Sequence, residues 1–435
     1  MTRGVVIAAA RSGAGKTTVA LGLMRAFARR GIAVQPFKCG PDYIDPAFHH
    51  VATGRPSFNL DGWAMDAGTL SGLVGGHAAD LAIAEGVMGL FDGVGGRGAT
   101  ADVAALLGWP VVLVLDVKGQ TETAAAIAAG CAAYRADVEI AGVILNRVAS
   151  ERHLSLIAPA FDRIGITLFG ALANDPRLSL PERHLGLVQA GETADLGRRL
   201  DLLADVLGES VDLDAVVASA RPVTAVAVSR ASFIDPPGQR VALAGDEAFS
   251  FIYPHLVEHW RARGAEILSF SPLRDEAPAV DADAVWLPGG YPELHAGVLA
   301  SAKRFRLGLH TLAGKGVPIH GECGGYMVLG QGLEDNDGKR HAMTGLLAVE
   351  TSFARRSLHL GYRVARLGAD CALGKSGAEI LGHEFHYACV LSVGDDKLVD
   401  CRDASNAVVA EAGARRGSVS GTFFHAISRG SHDER

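Results

Sequence analysis

The sequence predicts two consecutive α/β domains, each built on a mainly parallel sheet flanked by helices. Three observations carry this. Short apolar runs without polar alternation, at 32–37, 81–84, 111–115 and 141–145, read as strands buried on both faces. Ala-rich helical stretches separate them, the βαβ signature of an open doubly wound sheet. A second series of the same kind, 241–244, 266–270, 284–287 and 317–320, begins after the Pro-Gly cluster Asp235-Pro236-Pro237-Gly238, the best linker candidate. A charged amphipathic helix around 194–207 precedes that cluster. The predicted organisation is a first domain over 1–190, a helical segment and linker over 191–239, and a second domain over 240–435. There is no internal repeat, and the polar tail 428–435 is expected to fray.

Composition narrows the function classes. Hydrophobic residues make up 49% and charged residues 20%, enough for an ample core. A net charge of −7 gives no electrostatic reason for a nucleic-acid or anionic-membrane partner. Six cysteines without a C-x-x-C pair argue against zinc ribbons and disulfide frameworks and for a reducing cytosol. No stretch approaches the roughly 18 uninterrupted apolar residues of a membrane span. The first apolar run is too short for a signal peptide, so a cytoplasmic protein is expected.

The first strand, ending at Ala9, runs into Ala10-Arg11-Ser12-Gly13-Ala14-Gly15-Lys16-Thr17 and then a helix over 17–30. Such a turn points consecutive backbone N–H groups into one concavity, and the helix N-terminus adds positive dipole. This is a Walker A pattern whose first glycine is replaced by Ala10. Ser12, Gly13, Ala14, Gly15, Lys16, Thr17 and Thr18 are the expected nucleotide contacts. Lys16 would reach the β/γ-phosphates and the Thr17 hydroxyl would hold Mg²⁺. ATP or a close relative is the expected ligand.

The second strand leads into Lys38-Cys39-Gly40-Pro41-Asp42-Tyr43-Ile44-Asp45-Pro46. Lys38 and Tyr43 are candidates for contact with phosphate or a substrate carboxylate. Asp42 and Asp45 could bind metal or orient an acid being activated, although Asp and Pro also build ordinary turns. His49 and His50 lack ligand partners at metal spacing and read as loop histidines. The strand 81–84 ends in Glu85-Gly86-Val87-Met88-Gly89-Leu90-Phe91-Asp92-Gly93, which sets Glu85 and Asp92 at the carboxyl end of a strand, where ligands of open α/β sheets gather. Glu85 is the second expected Mg²⁺ ligand; the bland alternative for both carboxylates is a solvated loop. Asp116 is the runner-up metal ligand, and Asn146 with Arg147 could read the adenine.

In the second domain, 317–329 reads strand, tight turn and helix start, with Gly321-Glu322-Cys323-Gly324-Gly325 fitting G-x-C-x-G. A cysteine there stands at a helix N-terminus, which favours its thiolate, and small neighbours would leave its sulfur accessible. Cys323 is thus the expected nucleophile, and His425, after the strand-like 418–420, its base. The oxyanion donors would be the N–H of Gly324 and that of Gly290, in the glycine turn after 284–287.

These motifs occur together and in one order: ARSGAGKTT, PFKCGPDYIDP, EGVMGLFDG, GDEAFSFIYP, LPGGYPELHA, GECGGYM, GHEFHYA and GTFFHA. Across nearly the whole chain they resemble the corrinoid a,c-diamide synthases of cobalamin biosynthesis. The N-terminal half is similar to dethiobiotin synthetase, implying a P-loop NTPase-like parallel-sheet domain. The C-terminal half is similar to a class I glutamine amidotransferase of the cobyric-acid-synthase type. The resemblance implies a ligase that amidates the a and c carboxylates of a corrinoid, hydrogenobyrinate or cobyrinate, with ATP, Mg²⁺ and glutamine. It implies that Asp42, Asp45, Glu85 and Asp92 act at the synthetase site and that Cys323 and His425 are the glutaminase pair. A homodimer is compatible with this reading.

Three alternatives stand beside it. Cobyric acid synthase shares the architecture but carries an asparagine-rich segment after the lysine, where this chain has GPDYIDP. Another acidic tetrapyrrole, such as nickel-sirohydrochlorin, could be the acceptor. A regulatory partition-type ATPase fused to a sensor domain draws support from Arg11, which stands where such ATPases place a second lysine; the complete G-x-C-x-G weighs against it. The class I amidotransferases carry a Glu two residues after the catalytic His, where this chain has Ile427, so the partner of His425 is open. Gly382-His383-Glu384-Phe385-His386 lacks the i, i+4 spacing of a zincin helix, which argues against a metal site; it could line the glutaminase pocket or the interdomain face, or be a plain strand. Ammonia must travel unprotonated, so a sheltered path between the domains is expected.

Overall fold

The structure, a computed structural model, describes residues 2–180, 182–183, 186–224 and 232–430. The chain divides into two compact units, Met1–Ala231 and Ser232–Arg435.

In the first unit the strands β1 (Arg3–Ala9), β2 (Val34–Cys39), β3 (Phe58–Leu60), β4 (Leu81–Glu85), β5 (Val111–Asp116), β6 (Ile140–Val148) and β7 (Leu168–Ala173) form one sheet in the order β3-β2-β4-β1-β5-β6-β7. All these pairs are parallel. The residues of β2, β4 and β5 are buried without exception, which is why their sequences show no polar alternation. Parallel pairing brings the loops after β1, β2 and β4 to one edge. In register, Glu85 stands beside Lys38 on one side and Ile7 on the other. Helices α1 (Lys16–Arg29) and α2 (Asp45–Thr53) leave that edge.

The helix α3 (Leu196–Ser210), set apart from both domains in the sequence reading, belongs to the first unit. It packs on α1, where Gly22 has no Cβ to meet the Leu207 methyls. Arg25 and Arg29 donate to Asp201 and Asp205 at 2.8 Å each.

The second unit has its own mainly parallel sheet. Its strands are β8 (Arg240–Ala244), β9 (Glu266–Phe270), β10 (Ala284–Leu287), β11 (Ile319–Glu322), β15 (Ala414–Arg416) and β16 (Val419–Thr422), in the order β9-β8-β10-β11-β16-β15. Only β15 is antiparallel to its neighbour. The helix α4 (Gly324–Leu329) follows β11 directly. A second, antiparallel sheet in the order β14-β12-β13-β17 joins β12 (His359–Leu367), β13 (Glu379–His386), β14 (Val399–Asp403) and β17 (Phe424–Arg429). The segment with His383 and His386 is therefore a strand. The frayed tail is corrected in part: Ser428 and Arg429 belong to β17 and Ser428 is fully buried, while 431–435 lie outside the described residues. Among the described residues no helix is long and apolar enough to cross a membrane.

Candidate functional site

Two clusters of buried chemistry stand out, one in each unit. In the first, the turn after β1 relies on Gly13 and Gly15 at positive φ of 74° and 91°, a region that other residues enter only under strain. Glu85, the last residue of β4, is completely buried and gathers its neighbours around one carboxylate. Lys16 Nζ, Thr17 Oγ1 and Lys38 Nζ donate to Oε1 at 3.1, 2.5 and 3.0 Å. His49 Nε2 lies 2.8 Å from Oε2, and because a carboxylate only accepts, that nitrogen carries a proton. His49 Nδ1 meets Ser57 Oγ at 3.0 Å. Lys38 also pairs with Asp45, the first residue of α2. The reading of His49 as a loop histidine is corrected: it sits on α2, buried, one turn after Asp45. That i, i+4 spacing on an amphipathic helix was the signal available in the sequence.

The charges decide the protonation states here. Burial opposes the ionised form of Glu85, but Lys38, Lys16 and His49 outweigh it and hold the carboxyl well below its ordinary value. Burial opposes the Lys38 ammonium too, and Asp45, Glu85 and Asp42 together hold it above the usual lysine range. Asp45 is pushed up to about 6, by burial and then by Asp42, with Lys38 pulling the other way.

Other candidates in this unit are structural in what they touch. Asp42 accepts the N–H groups of Ile44 and Asp45 at 2.8 and 3.1 Å, shaping the entry to α2. Tyr43 is buried beside it. Asp92 is exposed and accepts the Gly89 N–H at 2.9 Å. Asn146 faces the phosphate turn, donating to Ala14 O at 2.9 Å; a Cβ on Gly15 would collide with its amide, so Asn146 buttresses the cradle. Asp116 is held between Arg11 at 2.5 Å and Arg147 at 2.7 Å, and Arg147 also donates to Gly13 O. Thr18 lies half-buried in the first turn of α1, and Ser12 is exposed on the turn. Thr17 and Glu85 offer hard oxygen donors beside the cradle, a set that fits Mg²⁺.

In the second unit Cys323 caps α4 with φ 47° and ψ −105°, the strained backbone of a nucleophile elbow. Gly321, Gly325 and Gly421 pack so closely there that a Cβ on any of them would lie within 2.6 Å of a neighbouring atom. His425 comes from β17. A Cβ built on Gly289 would meet His425 Cε1 at 2.2 Å, His425 Nε2 at 2.9 Å and Cys323 Cβ at 3.2 Å, so the cysteine side chain and the imidazole both border the space over that glycine. The Gly289 carbonyl accepts from Phe251 N–H at 2.9 Å. The trans peptide therefore turns the Gly290 N–H the opposite way, and Gly290 N lies 3.0 Å from where a Gly324 Cβ would stand.

Nδ1 of His425 faces Glu322 Oε2 at 3.9 Å, and the other Glu322 oxygen accepts the Ala426 N–H at 2.8 Å. Glu322, to which no sequence motif pointed, is thus the carboxylate nearest this ring nitrogen, whereas the position two residues after His425 is Ile427. Burial pushes its carboxyl up to about 8, with the Ala426 N–H only partly offsetting this. Burial, with smaller contributions from His383 and His386, takes the His425 imidazole down to about 3.

The expectation of an accessible thiolate is corrected. Cys323 is 3% exposed, and burial followed by the field of Glu293 raises its thiol far above the ordinary value, against the Gly324 N–H. Desolvation outweighs a helix of only six residues. At rest the pair is neutral thiol and neutral imidazole.

Residues 5–188 match the CobQ/CobB/MinD/ParA nucleotide binding domain, and residues 240–432 match the CobB/CobQ-like glutamine amidotransferase domain. The chain is 55% identical over 436 residues to the hydrogenobyrinate a,c-diamide synthase of Mesorhizobium japonicum, covering 99% of both chains. It is 55% identical over 434 residues to the enzyme of the same name from Rhodobacter capsulatus, covering 98% of this chain and 99% of that one.

Proposed function

Because the chain belongs to the hydrogenobyrinate a,c-diamide synthase family, we propose that it amidates the a and c carboxylates of hydrogenobyrinate, using ATP for activation and glutamine as nitrogen donor. The observation that carries this reading is the match at 55% identity along 99% of the chain, which spans both clusters of buried chemistry.

A carboxylate is a poor electrophile because it would have to expel oxide. Transfer of the γ-phosphoryl group of ATP to a carboxylate oxygen gives an acyl phosphate and ADP. Ammonia then adds to the carbonyl, and phosphate leaves with its electron pair as the amide forms. Positioning and charge neutralisation dominate phosphoryl transfer. The glycine turn and Lys16 cradle the phosphates, and Lys38 supplies a second fixed positive charge. Asp45 and His49 hold Lys38 and Glu85 in place. Thr17 and Glu85 would hold Mg²⁺, which supplies charge neutralisation on the phosphates.

At the second cluster His425 takes the Cys323 proton as sulfur attacks the glutamine amide carbon. The N–H groups of Gly290 and Gly324 receive the oxyanion. The imidazolium returns its proton to the departing nitrogen, ammonia leaves, and water hydrolyses the thioester to glutamate. Glu322 keeps Nδ1 of His425 oriented through this cycle. The enzyme acts in the cytoplasm.

The test supplies the purified chain with ATP, Mg²⁺ and either hydrogenobyrinate or cobyrinate, with glutamine or an ammonium salt, and reads products by mass spectrometry. Two added amides on hydrogenobyrinate are expected. Cys323→Ala should abolish glutamine-driven amidation and spare the ammonium-driven reaction. Equal loss of both would refute the division into two sites, and amidation of cobyrinate alone would reassign the acceptor.

A further inference from the structure

His359, Glu384 and His386 converge in the antiparallel sheet of the second unit. His359 and His386 are directly opposed across β12 and β13. Their rings are parallel, with centroids 4.8 Å apart and planes at 6°. Glu384, two residues before His386 on the same strand, projects from the same face. One ligand atom from each of the three lies within 4.8 Å of the others. We propose that these three side chains bind a divalent transition-metal ion of the Zn²⁺ class.

Two imidazoles and one carboxylate are a borderline-soft donor set that suits Zn²⁺ and disfavours Mg²⁺ and Ca²⁺. Arg363 Nε donates to Glu384 Oε2 at 2.6 Å, which fixes the carboxylate and leaves Oε1, now 2.8 Å from His386 Nε2, for the ion. The guanidinium charge weakens the carboxylate as a donor, and all three side chains line one cavity of about 650 Å³. His386 is set in orientation by Phe423, whose ring stacks on it at 4.0 Å. Three protein ligands facing a cavity leave a coordination position for water or an anion. The i, i+4 criterion misses the site because it describes a helix; on a strand, ligands on one face recur at i, i+2 and across the pair.

The experiment uses the full-length chain, stripped with a chelator and free of nucleotide. Zn²⁺ is titrated in competition with a chromophoric chelator, and Co²⁺ serves as a spectroscopic probe. Wild type should bind one more Zn²⁺ per chain than His359→Ala or His386→Ala, or bind it at least tenfold more tightly. Zn²⁺ should raise the Tm of wild type and not of the variants. His359 is exposed, so its removal leaves the core intact. Co²⁺ should give d–d bands without thiolate charge transfer. Zn²⁺ binding by His359→Ala equal to wild type, no such binding by wild type, or a Co²⁺–thiolate band that survives the substitution would each overturn the proposal.

Discussion

Glu85 and Glu322 are both buried carboxyls, and each is the last residue of a parallel strand, yet they are held in opposite states. Glu85 meets two ammonium groups, a hydroxyl and an imidazole N–H, and stays ionised. Glu322 meets the Ala426 N–H, the Trp286 indole and a neutral imidazole, none of them charged, and is pushed up to about 8. Burial is the same, so the partner charges decide. The chemistry explains the contrast. Phosphoryl transfer needs fixed charges that do not reorganise. Thiol attack on an amide needs protons that move, and a site without locked ion pairs lets Cys323, His425 and Glu322 change protonation state.

The sharpest way to break this contrast is Glu85→Gln. The isostere keeps the shape and removes the charge on which Lys38 and Lys16 rest. Breaking a buried pair by neutralising one partner costs about 3–5 kcal/mol, and Asp45 keeps part of the Lys38 charge compensated. Amide synthesis should fall by about 10²–10³-fold with glutamine and with ammonium alike, while glutamine hydrolysis by Cys323 persists. Calorimetry and product mass spectrometry check both. A further sign follows from linkage. The Glu85 carboxyl is lowered, so its contribution to stability is present above the ordinary carboxylate value and is lost as pH falls below it. Wild type should therefore lose stability on acidification that Glu85→Gln does not lose. A variant as stable and active as wild type would remove Glu85 from the centre of the cluster.

Glu322→Gln sharpens the other side. Glu322 Oε2 faces His425 Nδ1 at 3.9 Å, and the ionised carboxylate favours the tautomer protonated there, which leaves the Nε2 lone pair for the thiol. Glutamine hydrolysis in wild type should therefore climb as pH rises toward about 8. The variant should lose that limb and about 10²-fold in kcat. Stability moves the other way. A carboxyl raised in the folded state penalises folding from its ordinary value near 4.5 up to about 8 and at all higher pH, so Glu322→Gln should raise Tm at neutral and alkaline pH. Loss of both activity and stability would make Glu322 a packing residue.

The same contrast shows what a sequence discloses. The glycine turn, Glu85 at the end of β4 and the G-x-C-x-G elbow were legible because each is a local pattern: an apolar strand, then residues chosen for backbone freedom or charge. The parallel strands were legible for the same reason. The antiparallel sheet that carries His425 was not, since pairing such as that of 379–386 with 424–429 joins residues far apart in sequence. His383 faces His425 across forty-two positions, and no spacing encodes that. His49 escaped because its partner, Glu85, lies on a strand thirty-six residues away, and no spacing along α2 encodes that contact. The state of Cys323 escaped because the helix N-terminus is local and visible, while the burial that overrides it is a property of the assembled fold.

The smallest expected effect tests how far the fixed-charge side depends on its periphery. His49 touches Glu85 through Nε2 and Ser57 through Nδ1, and it is placed to hold the carboxylate so that Oε1 faces Lys16, Thr17 and Lys38. His49→Leu removes the donor, and amidation should drop about 10-fold, the range typical of groups that orient a ligand they do not replace. The drop should be equal with glutamine and with ammonium, since the cysteine chemistry is untouched. His49→Gln returns an N–H near the Nε2 position and should restore most of kcat. Recovery in that variant separates orientation from packing: if Leu and Gln lose activity and Tm to the same extent, His49 fills space and the carboxylate is held by its cations alone.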